Sequence, residues 1–132
     1  MENVIKALMA AISASVSYFF GGADVWLMAL VTVIVIDYLT GLAKAYIRGE
    51  LCSRIGFKGI VKKLMYFAVV AVAEIVDTIT GAGGVLRAAV IGFMIANEAL
   101  SILENYAVAT NNQVPKFFVN LLQKVKDDDK KI

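Results

Sequence analysis

The sequence predicts an all-α membrane protein: a bundle of three transmembrane helices plus a shorter N-terminal apolar helix read as a fourth span, followed by an amphipathic C-terminal helix. Three observations carry this. Of 132 residues, 60% are hydrophobic and 18% charged, whereas a soluble domain is about half apolar and about a quarter charged. The apolar residues gather into four stretches, at 4–20, 25–43, 64–80 and 85–103, each near the ~20 residues that cross ~30 Å of hydrocarbon. The breaks fall at Gly21-Gly22, at a basic link, and at Gly81-Ala82-Gly83-Gly84, where the backbone reverses easily. Helices are expected at about 4–20, 25–47, 60–80 and 85–108, so that residues 1–110 form a membrane domain and 111–132 a cytoplasmic tail.

The first stretch is the shortest. Its uninterrupted part, 7–20, makes about 21 Å of helix. It can span a thinned bilayer, lie in the interface, or serve as a cleaved signal segment. Lys6, the short apolar run, Gly21 and Ala23 fit the last pattern, and the bulky Tyr18, Phe19 and Phe20 oppose it. A second start at Met9 would remove Lys6 and shorten the stretch further.

Asp24 is placed to cap the second helix. That helix carries ten Val, Leu and Ile residues, worth about −0.3 to −0.6 kcal/mol each on insertion, which outweighs about +3 kcal/mol for a central Asp37. The third stretch contains Glu74 and Asp77, the fourth Asn97 and Glu98. Each is marginal alone, so the two are expected to insert together as a hairpin about the glycine-rich link. In the tail, Phe117, Phe118, Leu121, Leu122 and Val125 recur at helical spacing among lysines. This suits a helix lying on an anionic bilayer surface, loosened by Asp127-Asp128-Asp129.

Orientation follows from the basic residues. Lys44, Arg48, Arg54, Lys58, Lys62 and Lys63 surround the link between the second and third stretches, and the tail adds Lys116, Lys124, Lys126, Lys130 and Lys131. The links at 21–24 and 81–84 carry none. The positive-inside rule therefore places the basic link, the tail and, through Lys6, the N-terminus in the cytoplasm.

Polar residues at bilayer depth need partners or water. Asp37, Gly41, Lys44 and Arg48 form one stripe on the second helix, readable as a helix-facing or pore-facing seam, with the alternative that Lys44 and Arg48 only snorkel to the surface. Glu74 and Asp77 share a face of the third helix. Arg87 lies across the hairpin turn, which suggests an outer Asp77–Arg87 ion pair. On the fourth helix Asn97, Ser101, Glu104 and Asn105 form a polar ladder with Glu98 beside it, at a depth similar to that of Asp37. Such a ladder can join subunits around a wet path or seal a single bundle.

Enzymatic classes find little support. There is no histidine and one cysteine, Cys52, in a link, so the commonest base and metal ligand is missing and no intrachain disulfide is possible. Neither a Gly-x-Ser-x-Gly elbow nor a phosphate loop is present. No catalytic, cofactor-binding or metal site is expected, and the basic link is explained by topology without nucleic acid.

Four stretches carry a resemblance across most of the chain. They are Asp37-Tyr38-Leu39-Thr40-Gly41; Ser53-Arg54-Ile55-Gly56-Phe57-Lys58-Gly59-Ile60-Val61-Lys62-Lys63; Asn97-Glu98-Ala99-Leu100-Ser101-Ile102-Leu103-Glu104-Asn105; and Val114-Pro115-Lys116. In these the chain resembles the phage-lysis and toxin-secretion holins of Gram-positive bacteria and their phages. The resemblance implies a non-enzymatic protein that accumulates in the cytoplasmic membrane and then forms homo-oligomeric lesions. These would collapse the membrane potential and release a murein hydrolase or a toxin. Its expected partners are membrane lipid, other copies of itself and, functionally, that hydrolase or toxin. A small channel or transporter and a regulatory antiholin are the competing expectations.

Overall fold

The computed structural model describes residues 1–111 and 116–131, excepting the side chains of 53–55, 117–119, 122, 126, 129 and 130. Val114 and Pro115 of the fourth motif, and the side chains of Arg54, Phe117, Phe118, Leu122, Lys126 and Lys130, lie outside the described residues. Among the described residues five α-helices follow one another: α1 Glu2–Phe20, α2 Val25–Ile47, α3 Ser53–Thr80, α4 Val85–Thr110 and α5 Lys116–Lys130.

The helix ends follow local chemistry. α1 stops at Gly21, whose left-handed backbone (φ 76°) directs its N–H to the Ser17 carbonyl. Asp24 caps α2 as expected, its carboxylate accepting the Leu27 N–H at 3.0 Å. α3 stops at the left-handed Gly81. α4 has Gly84 at its N-cap, which offers no side chain. Asp77 of α3 supplies the missing acceptor, taking the Leu86 and Arg87 N–H groups at 3.1 and 2.7 Å.

α3 begins at Ser53, seven residues before the expected start near 60. The basic segment is therefore helical, not a loop. At 28 residues α3 runs about 42 Å, more than one bilayer core. Among the described residues, the three helices long and apolar enough to cross a membrane are α1, α2 and α4. α1, expected as the shorter span, qualifies because the helix extends back to Glu2, where Lys6 pairs with Glu2 at 2.6 Å. α3 is long enough, but its apolar part includes Lys63, Glu74 and Asp77.

α4 is the central helix. It packs most extensively on α2, then on α3, while α1 lies against α3 and α5 contacts α4. Leu27 and Leu30 of α2, Val70 of α3, and Ile91 and Met94 of α4 form the buried core. Val16 and Phe20 join it from α1, with Phe20 edge-on to Phe67 at 6.1 Å between ring centroids. Elsewhere the bundle is apolar outward. Leu8, Ile12, Leu39, Leu64, Val72 and Ile79 are all exposed, and α1 has no buried residue. An aqueous surface does not tolerate apolar area on that scale; a lipid-facing one requires it.

Candidate functional site

The polar residues of the bundle form two clusters. One lies toward the basic end, where α2 leaves and α3 enters. The other lies at the glycine end, where the 21–24 and 81–84 links meet.

At the basic end the Lys63 ammonium on α3 donates to Asp37 Oδ2 on α2 at 2.7 Å and to Glu98 Oε2 on α4. The side chains of Lys63, Asp37 and Glu98 are 16%, 10% and 3% exposed. All three lie 10 to 12 residues from the basic ends of their helices, about 15–18 Å along the helix. Asn105 Nδ2 donates to Asp37 Oδ1 and to Thr40 Oγ1, both at 3.1 Å, and the Thr40 hydroxyl donates to the Asp37 carbonyl at 3.0 Å. Next to Glu98 on α4, Asn97 Nδ2 donates to the Tyr66 hydroxyl at 2.9 Å. Among the described residues, no buried side-chain polar atom is left without a partner. That is the condition under which ionisable groups are tolerated at bilayer depth.

At the glycine end Arg87 is the hub. Its guanidinium forks onto both carboxylate oxygens of Asp24, at 2.7 and 3.0 Å, and donates to the Gly22 and Phe20 carbonyls. Glu74 lies 3.8 Å from Nε. One side chain thereby ties the end of α1 and the start of α2 to α4. The same guanidinium holds the Asp24 carboxyl below its ordinary value of 3.8, chiefly through the direct hydrogen bond. The link is packed so closely that a Cβ on Gly21 would lie 2.6 Å from Glu74 Oε2 and 2.8 Å from Arg87 Nε.

Three expectations change. Lys63 does not act with the basic link; it points into the bundle, whereas Lys58 and Lys62 on the same helix are exposed. The signal was present in the sequence: two carboxylates at matched depth, Asp37 and Glu98, require a cation, and Lys63 opens the third apolar stretch. The Asp77–Arg87 ion pair is replaced by a backbone contact. The Asp77 carboxylate caps α4, and the guanidinium, free to turn away, finds Asp24. The α4 ladder also divides. Asn97, Glu98 and Asn105 reach partners on α2 and α3, while Glu104 is exposed. Glu104 shares nearly the same face as Asn97 but lies two turns nearer the basic end of α4, where it is exposed.

From the second-helix stripe, Asp37, Gly41 and Lys44 line a cavity of about 310 Å³, joined by Ser101 from α4. Arg48 lies beyond it, exposed. Among the described residues no group of three metal-ligating side chains occurs.

Residues 14–127 match the bacteriophage holin family. A Listeria innocua protein is 42% identical over 122 residues, covering 92% of this chain and 86% of the relative. A 14.9 kDa protein of the nagH 3′ region of Clostridium perfringens is 38% identical over 111 residues, 81% of this chain and 84% of its own. A Bacillus phage phi105 protein named "Probable holin" is 38% identical over 113 residues, 86% of this chain and 82% of its own. No solved structure matches the chain.

Proposed function

The chain belongs to the bacteriophage holin family, and from that premise we propose that it accumulates in the cytoplasmic membrane and oligomerises into lesions. These collapse the membrane potential and let a murein hydrolase, or an exported toxin, leave the cytoplasm. The N-terminus, the basic link and the tail face the cytoplasm, as the lysine distribution directs. α3 crosses with the other three helices.

One observation supports this reading above the others. The charged groups at bilayer depth are tied together inside a single chain, so the outer surface offered to lipid is apolar. A subunit built this way can collect in the membrane without opening it. Assembly then draws on the same groups: once interhelical hydrogen bonds of about 0.6–2 kcal/mol each exchange between copies, many weak bonds become one cooperative transition. Asp37, Asn97, Glu98 and Asn105 are the residues assigned to that exchange, and Gly41, Glu74, Ser101 and Glu104 are assigned to the seam where copies meet.

The test is inducible expression with and without a cytoplasmic murein hydrolase, following turbidity and membrane potential. Abrupt depolarisation, with turbidity loss only when the hydrolase is present, is expected. A transporter would produce neither, and an antiholin would only delay a partner's lysis. At matched membrane levels, Glu98→Leu with Ser101→Ala should lyse late and crosslink into fewer oligomers. Wild-type timing with wild-type oligomers would show that the seam seals one subunit and does nothing more.

A further inference from the structure

The cavity of about 310 Å³ lies between α2, the α2–α3 link, α3 and α4. Its mouth is at Glu50, Leu51 and Cys52, all exposed, and the lining residues farthest from the basic helix ends are Asp37, Lys63 and Ser101. Gly41, Gly56 and Gly59 line the walls, so space that side chains would fill on α2 and α3 is left open. A volume of this size holds on the order of ten waters, and water stays in a cavity that offers it several polar partners. Asp37, Lys44, Glu50, Lys63, Ser101 and Asn105 supply them. A lipid acyl chain in the same place would lie against two acids and two bases, which hydrocarbon does not solvate.

Beyond the ion cluster the character changes within one helical turn. Met94, Ile91, Val70 and Leu30 close the interior with side chains that are almost wholly buried. On α4 the interval from Glu98 to Arg87 is eleven residues, about 16 Å.

We propose that this cavity is a blind, water-filled vestibule that brings small hydrophilic solutes from the basic end as far as Lys63 and Asp37, and no further. It faces the cytoplasm if the orientation given under Proposed function holds; the vestibule itself rests on the cavity and its lining alone. The ion cluster then sits at a water boundary on one side, and the barrier across a single subunit narrows to the apolar layer between the two polar clusters.

Cysteine accessibility in the full-length protein tests this. With Cys52 replaced by Ser, single cysteines are placed at Ser101 and Gly59 in the vestibule, Val72 on the lipid face, and Ile91 in the apolar layer. A Cβ at Gly59 meets nothing within 4 Å, and Ser101→Cys is nearly isosteric, so either site decides if the other variant fails to accumulate. Each variant, and the native protein bearing Cys52, is treated with a charged, membrane-impermeant thiosulfonate in intact cells before lysis and in everted vesicles. Complete modification of Ser101→Cys and Gly59→Cys from the same face as native Cys52 is expected, with Val72→Cys and Ile91→Cys unmodified. If Cys52 reacts in intact cells, the orientation is wrong, but the vestibule stands so long as position 101 or 59 reacts from that same face. Failure of both vestibule positions under conditions that modify Cys52 overturns the proposal, as does their reaction from the opposite face. Modification of Ile91→Cys overturns the blind end.

Discussion

The two polar clusters solve the same problem by different means. At the glycine end, Arg87 is surrounded by acceptors that include the Gly22 and Phe20 carbonyls as well as the Asp24 carboxylate. Much of that cluster is backbone at helix termini, where unpaired carbonyls and N–H groups are in any case available. Asp24 is 42% exposed, so water shares the work. At the basic end one ammonium stands between two carboxylates from two other helices, with no helix terminus nearby. The glycine end is thus a clasp that holds α1 and the α1–α2 link in place. The basic end is a charge balance inside the bundle, where removing the one cation leaves both carboxylates unpaired. Redundant acceptors make the first tolerant; a single shared cation makes the second sensitive.

The largest effect expected from this contrast is at Lys63. Lys63→Met leaves Asp37 and Glu98 facing each other without a cation; the vestibule still wets Asp37, but Glu98 is 3% exposed, so the loss should be about 3 kcal/mol, the lower end of the range for orphaning a buried charge. Glu98→Gln should cost far less, because Lys63 keeps Asp37. Thermal unfolding in detergent measures both. Adding Asp37→Asn and Glu98→Gln to Lys63→Met should restore most of the loss, and a triple variant no more stable than Lys63→Met would show that the cluster is not a charge balance.

A smaller effect is expected at the clasp. Gly21→Ala introduces a left-handed strain of about 1–2 kcal/mol and also pushes a methyl group into Glu74 and Arg87. Gly81→Ala carries a similar strain (φ 69°) with nothing within 4 Å of the new Cβ. The difference between their melting temperatures isolates the contact with the Arg87 cluster. Equal losses would mean that the link is not held there.

The smallest effect concerns acid. Asp24 has its carboxyl lowered by Arg87, so its contribution is fully present above the ordinary carboxyl value of 3.8 and is lost as pH falls through the lower folded value. Below about pH 4 the clasp should loosen, seen as faster proteolysis of the 21–24 link, and Asp24→Asn should remove that dependence. An acid response unchanged in Asp24→Asn would place the sensitive group elsewhere.

The sequence by itself determined the all-α membrane class, the helix breaks and the capping of α2. These depend on local composition: apolar length, left-handed glycines, and a carboxylate three residues before the N–H that it accepts. It also put Asp37 and Glu98 at matched distances from the basic ends of their helices, since such a distance is a count along a helix. The early start of α3 was not legible, because lysines and glycines in 53–63 read as a link until the helix is seen to continue through them. Partner choice was decided only by the tertiary structure. Lys63 joins Asp37 and Glu98, and Arg87 turns from Asp77 to Asp24, because α4 packs between α2 and α3 and brings together groups more than twenty residues apart in the chain. Periodicity gives the face on which a side chain lies, but which helix meets that face is set by packing the whole bundle, and in a low-dielectric interior that contact decides which charges are neutralised.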